Sequence, residues 1–324
     1  MVGDTPTTPV IVGSGRSGTT WVQDVLARAN GYATAFEPLH PDAVPEMAAY
    51  ACRYLRVDDD CGELELFLEK VFSGKLRDTW ITYRVRPDRL AFRMNYLADT
   101  RSAYEWWRRW KKLARHYLKF RHDRCKPVLV KFIRANLMLP WLLAHFDLRV
   151  AAIVRHPGAV VESKLRLGGD DWDPGKVIER YRSQTSLRDD LLDDHSDIFD
   201  RQLSLAGEQA LIWCIENKLL LDQAAEWGVF LGYYEELLDA SDEGAWQSFV
   251  NELGLKNIPD AVLRRSASQQ ASALTSQHGI KSSHCGAWLS RLSAAQIDDI
   301  QRVLDAFEID QYSMSSMLPA RRVA

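Results

Sequence analysis

An α/β fold, a parallel sheet flanked by helices in one domain, is predicted by three observations. A short apolar strand, Val10-Ile11-Val12, runs through Gly13-Ser14-Gly15-Arg16-Ser17-Gly18 into a helix that begins Thr19-Thr20-Trp21. A second β-branched run, Leu148–Val154, passes through Arg155-His156-Pro157 into another helix, with the proline suited to a first helical turn. No Pro/Gly/Ser-rich linker and no repeat period divides the 324 residues, 46% of them hydrophobic, so one large core is the expected solution.

The first strand begins by about Pro9. The helix after the glycine-rich loop spans 19–29, with Trp21, Val22, Val25 and Leu26 on one face, and stops at Asn30-Gly31. Residues 32–36 run extended into Glu37-Pro38. Residues 47–55 and 64–72 have helical spacing on either side of a solvated Asp58-Asp59-Asp60 turn. Strand composition returns at 80–85 and at Val128–Phe132, and 137–146 is an apolar helix leading to Leu148–Val154. Residues 165–204, rich in Asp, Arg and Ser, fit a loop-and-helix excursion, a lid or insertion. Helices follow over 205–227, 245–253 and 294–307, and 229–237 has the look of a strand ending in Tyr233-Tyr234-Glu235-Glu236. The domain is therefore placed at 9–312, between an N-terminal extension, 1–8, and a polar, frayed tail, 313–324.

Composition narrows the function classes. A net charge of -3 argues against general nucleic-acid binding, which would show a basic excess. Cys52, Cys61, Cys125, Cys214 and Cys285 are scattered and lack metal-ligand spacing, so reduced thiols and no metal are expected. With the first strand so near the start and no apolar run of membrane-spanning length, a cytoplasmic protein is expected. One segment stands apart. Over 101–126, Trp106, Trp107 and Trp110 interleave with Arg108, Arg109, Lys111, Lys112, Arg115, Lys119, Arg121 and Arg124. A helix burying its tryptophans with its basic face in water is the first reading. Contact with an anionic acceptor or a lid role comes next, and membrane contact last.

The chemistry starts at the loop. Gly13 and Gly18 have the spacing of a phosphate-binding loop, hence a P-loop NTPase-like sheet, but Thr19 and Thr20 stand where a nucleotide triphosphatase carries Lys and Ser/Thr. The backbone N–H groups at the helix start can still wrap an anion. Arg16 is the one cation aimed into the loop. At the second strand end, Arg155 and Ser163, eight residues apart, face the same mouth, since ligands of open α/β sheets bind at the carboxyl ends of strands.

These motifs resemble those of the sulfotransferases that use 3'-phosphoadenosine 5'-phosphosulfate (PAPS). In that family a basic residue, one residue, then Gly-Thr-Thr-Trp forms the 5'-phosphosulfate loop, here Gly15, Arg16, Ser17, Gly18, Thr19, Thr20 and Trp21. The resemblance implies that Arg155 and Ser163 grip the 3'-phosphate and that Tyr234 lies against the adenine. It also implies that Lys281, five positions before Gly286 in a Gly-x-Trp block, covers the 3'-phosphate. Leu289 departs from the family, which usually has a basic residue there. Glu37-Pro38 is similar to the carbohydrate and bacterial small-molecule branch.

The implied activity is transfer of a sulfuryl group from PAPS to a hydroxyl or amine of a carbohydrate, lipid or other small-molecule acceptor, without metal. Arg16 would stabilise the developing charge and Lys131 the sulfuryl oxygens. Glu37 is the first candidate base and His40 the second. The histidine of the cytosolic branch is missing from the apparent counterpart, Lys131-Phe132-Ile133-Arg134. The rival readings are a P-loop kinase, disfavoured by the missing lysine, and a silent nucleotide-binding protein of the same fold.

Overall fold

The computed structural model describes residues 7–41, 44–75, 97–98, 100, 102–122, 126–168, 173–238, 243–260 and 285–320. Its centre is a five-stranded sheet in the order β2-β3-β1-β4-β5. The strands are β1 (Thr8–Val12), β2 (Ala33–Phe36), β3 (Val128–Phe132), β4 (Leu148–Val154) and β5 (Phe230–Tyr233), and every pairing is parallel. From β1 the chain first builds outward to β2 and β3 on one side, then to β4 and β5 on the other. That reversal makes the carboxyl ends of β1 and β4 the natural ligand crevice.

Both faces of the sheet are covered, which is why the strands read as continuous apolar runs rather than alternating ones. Strand alternation sends Val10, Val12, Val130, Phe132, Val150, Ala152 and Val154 into one core and Ile11, Leu129, Ala151 and Ile153 into the other. The second core is completed by α1 (Thr19–Asn30) and by Trp246, Phe249 and Val250. The first, larger core takes α2 (Gly62–Phe72). A long helix, Leu205–Gln223, crosses it, and Ala294–Ala306 closes it behind a Ser293/Gln296 capping box.

Several expected elements differ for local reasons. The helix expected at 47–55 is a 3₁₀ segment, Pro45–Tyr50, which ends as Ala51 turns extended and Cys52 takes φ 61°. The 137–146 helix divides into a 3₁₀ turn, Asn136–Met138, and Leu139–His145, because Pro140 suits only a helix start. The long helix stops at Gln223, short of 227. The 229–237 stretch is a strand only to Tyr233, after which Tyr234–Leu238 is helical. Of the 165–204 excursion, Pro174–Arg182 is helical, and Tyr181, Leu187, Leu191 and Ile198 are buried in the main core. The stretch just after Tyr312 does not fray: Met314 is buried and its amide donates to Gln301 Oε1 at 2.7 Å. The strand expected at 80–85 lies outside the described residues.

Helix α3 (Ala103–His122) occupies the basic aromatic segment. The expectation that it buries its tryptophans is corrected by the structure, because Trp106, Trp107 and Trp110 are exposed.

At the end of β1, a Cβ on Gly13 would stand 2.5 Å from the Ile153 carbonyl oxygen and 2.8 Å from Ser17 Oγ. Backbone on the β4 side cannot yield as a flexible side chain would, so Gly13→Ala should cost about 1–3 kcal/mol of stability. Urea unfolding measures it; a loss under ~0.5 kcal/mol would mean that the strands separate freely here.

Candidate functional site

The candidate residues lie on or just beyond the carboxyl ends of parallel strands. The glycine-rich loop follows β1, Glu37 follows β2, Lys131 lies near the end of β3, Arg155 follows β4, and Tyr234 follows β5. Residues up to 147 positions apart in the chain thereby meet: Arg16 Nε donates to Ser163 Oγ at 2.9 Å. Arg155 donates from NH1 to the Arg16 carbonyl at 3.1 Å, and its guanidinium lies 4.5 Å from the centre of the Tyr234 ring.

The loop has the backbone of an anion cradle. Arg16 has φ 74° and Gly18 has φ 93°, while the Ser17 amide and hydroxyl both donate to the Ser14 carbonyl, at 3.2 and 2.7 Å. Gly18 is obligatory twice over, since its φ is left-handed and a Cβ would collide with the Tyr234 ring. It N-caps α1 without a side-chain bond, so the first-turn amides of Thr19 and Thr20 receive no partner from the cap. Ser14 Oγ is buried with no hydrogen-bond partner among the described residues. An orphaned hydroxyl, an uncapped helix start and converging guanidinium groups together suit a phosphate-like anion.

Trp21 packs edge-on against Tyr234 (5.7 Å between centroids) and against Trp246 (5.2 Å), so it acts as the wall behind Tyr234. The Arg155 turn is held from below. Trp213 Nε1 donates to the Arg155 carbonyl at 3.1 Å, and Glu235 accepts the His156 amide at 2.9 Å and the Tyr312 hydroxyl at 3.0 Å. His156 is a core histidine, stacked on Trp288 at 4.6 Å, and burial pushes its pKa down to about 4.

The other half of the site is an ion cluster. Strand alternation turns Lys131 to the α1 side of the sheet. There Nζ lies 3.0 Å from Thr20 Oγ1, 2.7 Å from Glu37 Oε1 and 3.6 Å above the Phe36 ring. The second Glu37 oxygen accepts from Arg134 NH1 at 2.6 Å. Lys131 and Glu37 are 0% and 2% exposed. Burial pushes the Lys131 ammonium down to about 8, with Glu37 opposing the fall. Burial would raise the Glu37 carboxyl, but Lys131 and Arg134 outweigh it and hold it below its ordinary value. Glu37 itself has φ 50°, a left-handed conformation that aims the side chain back at these cations. His40 is buried nearby, its amide bonded to the Glu37 carbonyl at 3.1 Å.

The structure thus brings together the loop, Arg155, Ser163 and Tyr234 on one side of α1 and Glu37, Lys131 and His40 on the other, with Thr20 joining them. Lys281 lies outside the described residues. The Glu37–Arg134 pair, the Trp246 wall and the Glu235 anchor are not evident from the sequence. Only the proximity of Lys131 and Arg134 in a strand-end segment hinted at the first.

The chain matches the sulfotransferase family over residues 10–206. No curated protein sequence matches it. Among solved structures it is similar to the sulfotransferase domain of the olefin synthase of Synechococcus PCC 7002, with 18% identity, a TM-score of 0.46, and coverage of 94% of this chain and 95% of that one. It is also similar to a sulfotransferase domain from the curacin biosynthetic pathway, with 12% identity, a TM-score of 0.45, and coverage of 94% and 98%.

Glu37→Ala should leave a buried ammonium unpaired and cost about 3–5 kcal/mol by urea unfolding at neutral pH. Because the Glu37 pKa is depressed in the fold, its contribution is complete above the ordinary carboxyl value and is lost as the pH falls through the lowered one. The gap between wild type and variant should therefore close in acid. A gap that is constant with pH would show that lost packing, not charge, carries the effect.

Proposed function

Because the chain belongs to the sulfotransferase family, we propose that it transfers a sulfuryl group from PAPS to a hydroxyl or amine of a carbohydrate or other small-molecule acceptor, releasing 3',5'-diphosphoadenosine. The observation that carries this reading is the meeting of Arg16, Ser163 and Arg155 beside Tyr234 at the mouth of an uncapped helix. Such a site offers converging cationic groups to the anionic groups of one nucleotide, while the buried Tyr234 ring, covered by Arg155 and flanked by Trp21, supports the guanidinium. The loop amides and Arg16 would hold the 5'-phosphosulfate, Arg155 and Ser163 the 3'-phosphate, and Lys281 would add a cation from a segment outside the described residues. Bound PAPS supplies an activated sulfuryl group.

Sulfuryl transfer needs alignment and charge stabilisation more than covalent help, much as phosphoryl transfer does. Lys131 is suited to stabilise the oxygens that gain charge, since it is desolvated and already bonded to Thr20, next to the loop. Glu37 is the proposed base. Its oxygens are held by Lys131 and Arg134, so accepting the acceptor's proton requires one cation to shift from the carboxylate toward the transferred group. His40 is the second candidate. A kinase is the weaker reading, as Thr19 occupies the position of the phosphate-binding lysine.

Calorimetry should show 3',5'-diphosphoadenosine binding far more tightly than ATP, with Arg155→Ala losing about 2–4 kcal/mol. Equal affinity for ATP, or no loss in the variant, would refute the assignment. Mass spectrometry after offering PAPS and a metabolite extract should reveal an acceptor that has gained one sulfuryl group.

Steady-state kinetics should place the base. Glu37→Gln is expected to lower kcat by at least ~10²-fold with cofactor affinity nearly unchanged, and His40→Ala to act more mildly. Collapse in the histidine variant alone would transfer the role to His40. If Lys131 must be charged, the rate should fall as the pH passes about 8. Any residual activity of Glu37→Gln should fall at lower pH still, because the carboxylate that sustains the ammonium is gone.

A further inference from the structure

Helix α3 carries seven Lys or Arg and one acidic residue, Glu105, on a chain whose net charge is -3. Its orientation is the reverse of a surface helix that hides its apolar stripe. Glu105 and Arg109, one turn apart, are only partly exposed and pair at 2.8 Å. Tyr104, Trp106, Trp107 and Trp110, in contrast, are 72%, 44%, 47% and 48% exposed. Trp106 and Trp110 share a face at i, i+4. Beside them, Lys111 holds its Nζ 3.6 Å above the Trp107 ring, and Arg108 is exposed. Single exposed apolar side chains need no explanation, but a contiguous aromatic patch beside cations marks an interaction surface.

We propose that this face docks on an anionic phospholipid surface, with the indoles in the headgroup layer and the cations on lipid phosphates. Indole and phenol rings have an apolar body and a polar edge, which suits them to that layer. Basic side chains next to them attract anionic lipids by about 1 kcal/mol each. Lys111 Nζ, held over the Trp107 ring, keeps a positive charge at the edge of the aromatic patch. Exposed indoles beside cations on one helix face suit a contact in the plane of the surface. A nucleic acid is the lesser fit, since the chain as a whole is net acidic, at -3. The proposal is independent of the sulfuryl-transfer reading, because none of these residues belongs to the candidate site.

Flotation of the full chain with vesicles tests it, using phosphatidylcholine alone and phosphatidylcholine with about one-third phosphatidylserine. Binding is expected to the anionic vesicles only, and to weaken with salt. Replacing Trp106, Trp107 and Trp110 together by Ser should reduce the bound fraction at least ~10-fold, with an unchanged circular dichroism spectrum. Should that variant unfold, Arg108→Glu with Lys111→Glu is expected to give a loss of at least ~10-fold by charge alone. Equal binding to neutral vesicles, undiminished binding by a folded variant, or capture of duplex DNA without vesicle binding would each overturn the proposal.

Discussion

A fully enclosed ammonium must be paired, and Lys131 is fully enclosed. It sits on the central part of a parallel sheet, where both faces are dry, so its only escape from an unpaired charge is to meet a carboxylate at the strand ends. Glu37 does so from the next strand, at the price of a left-handed backbone conformation. Much of the site geometry follows from this pair. The Glu37 amide extends the β2–β3 ladder to the Lys131 carbonyl at 3.0 Å, Arg134 takes the second oxygen, and Thr20 ties the ammonium to the first turn of α1. The loop that begins α1 is thereby fixed relative to the ion cluster, and the two halves of the site cannot drift independently.

The cations do not all stand in the same relation to negative charge. Lys131 and Arg134 share one buried carboxylate, whereas Arg16 and Arg155 make their visible bonds to a hydroxyl and a carbonyl. Neutral partners orient a guanidinium without cancelling its charge. On the loop side, then, the described contacts of the guanidinium groups are to neutral atoms, whereas on the Glu37 side two cations share one carboxylate. That asymmetry suits a reaction in which one region binds a permanently charged donor and the other must gain and lose charge during turnover.

The loop and the strand-end motifs were legible because each combines a local backbone demand with a chemical one. Gly13 and Gly18 have few alternatives, and a proline after Arg155-His156 states where a helix starts. The five strands followed from short apolar and β-branched runs, the last of them drawn too long, and the principal helices from periodicity. What periodicity cannot give is which face of a helix turns inward. In α3 the tryptophans share an arc, and the expectation that they are buried assumed a direction that only the packing decides; Glu105 and Arg109 turn inward instead. Nor could spacing reveal that Thr20 and Lys131, 111 residues apart, are bonded, or that Glu235 anchors the Arg155 turn through its contacts with His156 and Tyr312.

Tyr234 shows how tightly the separate motifs depend on one another. Its ring touches the space above Gly18 that any other residue would fill, packs edge-on to Trp21 and receives the Arg155 guanidinium on its face. The ring is therefore located by three motifs that lie far apart in sequence. A side chain at position 18 would displace the ring, the displaced ring would lose Arg155, and Arg155 is also bonded to the Arg16 carbonyl within the loop. A change at any one of these positions acts on the others through contact, so their individual contributions to ligand binding should not be additive.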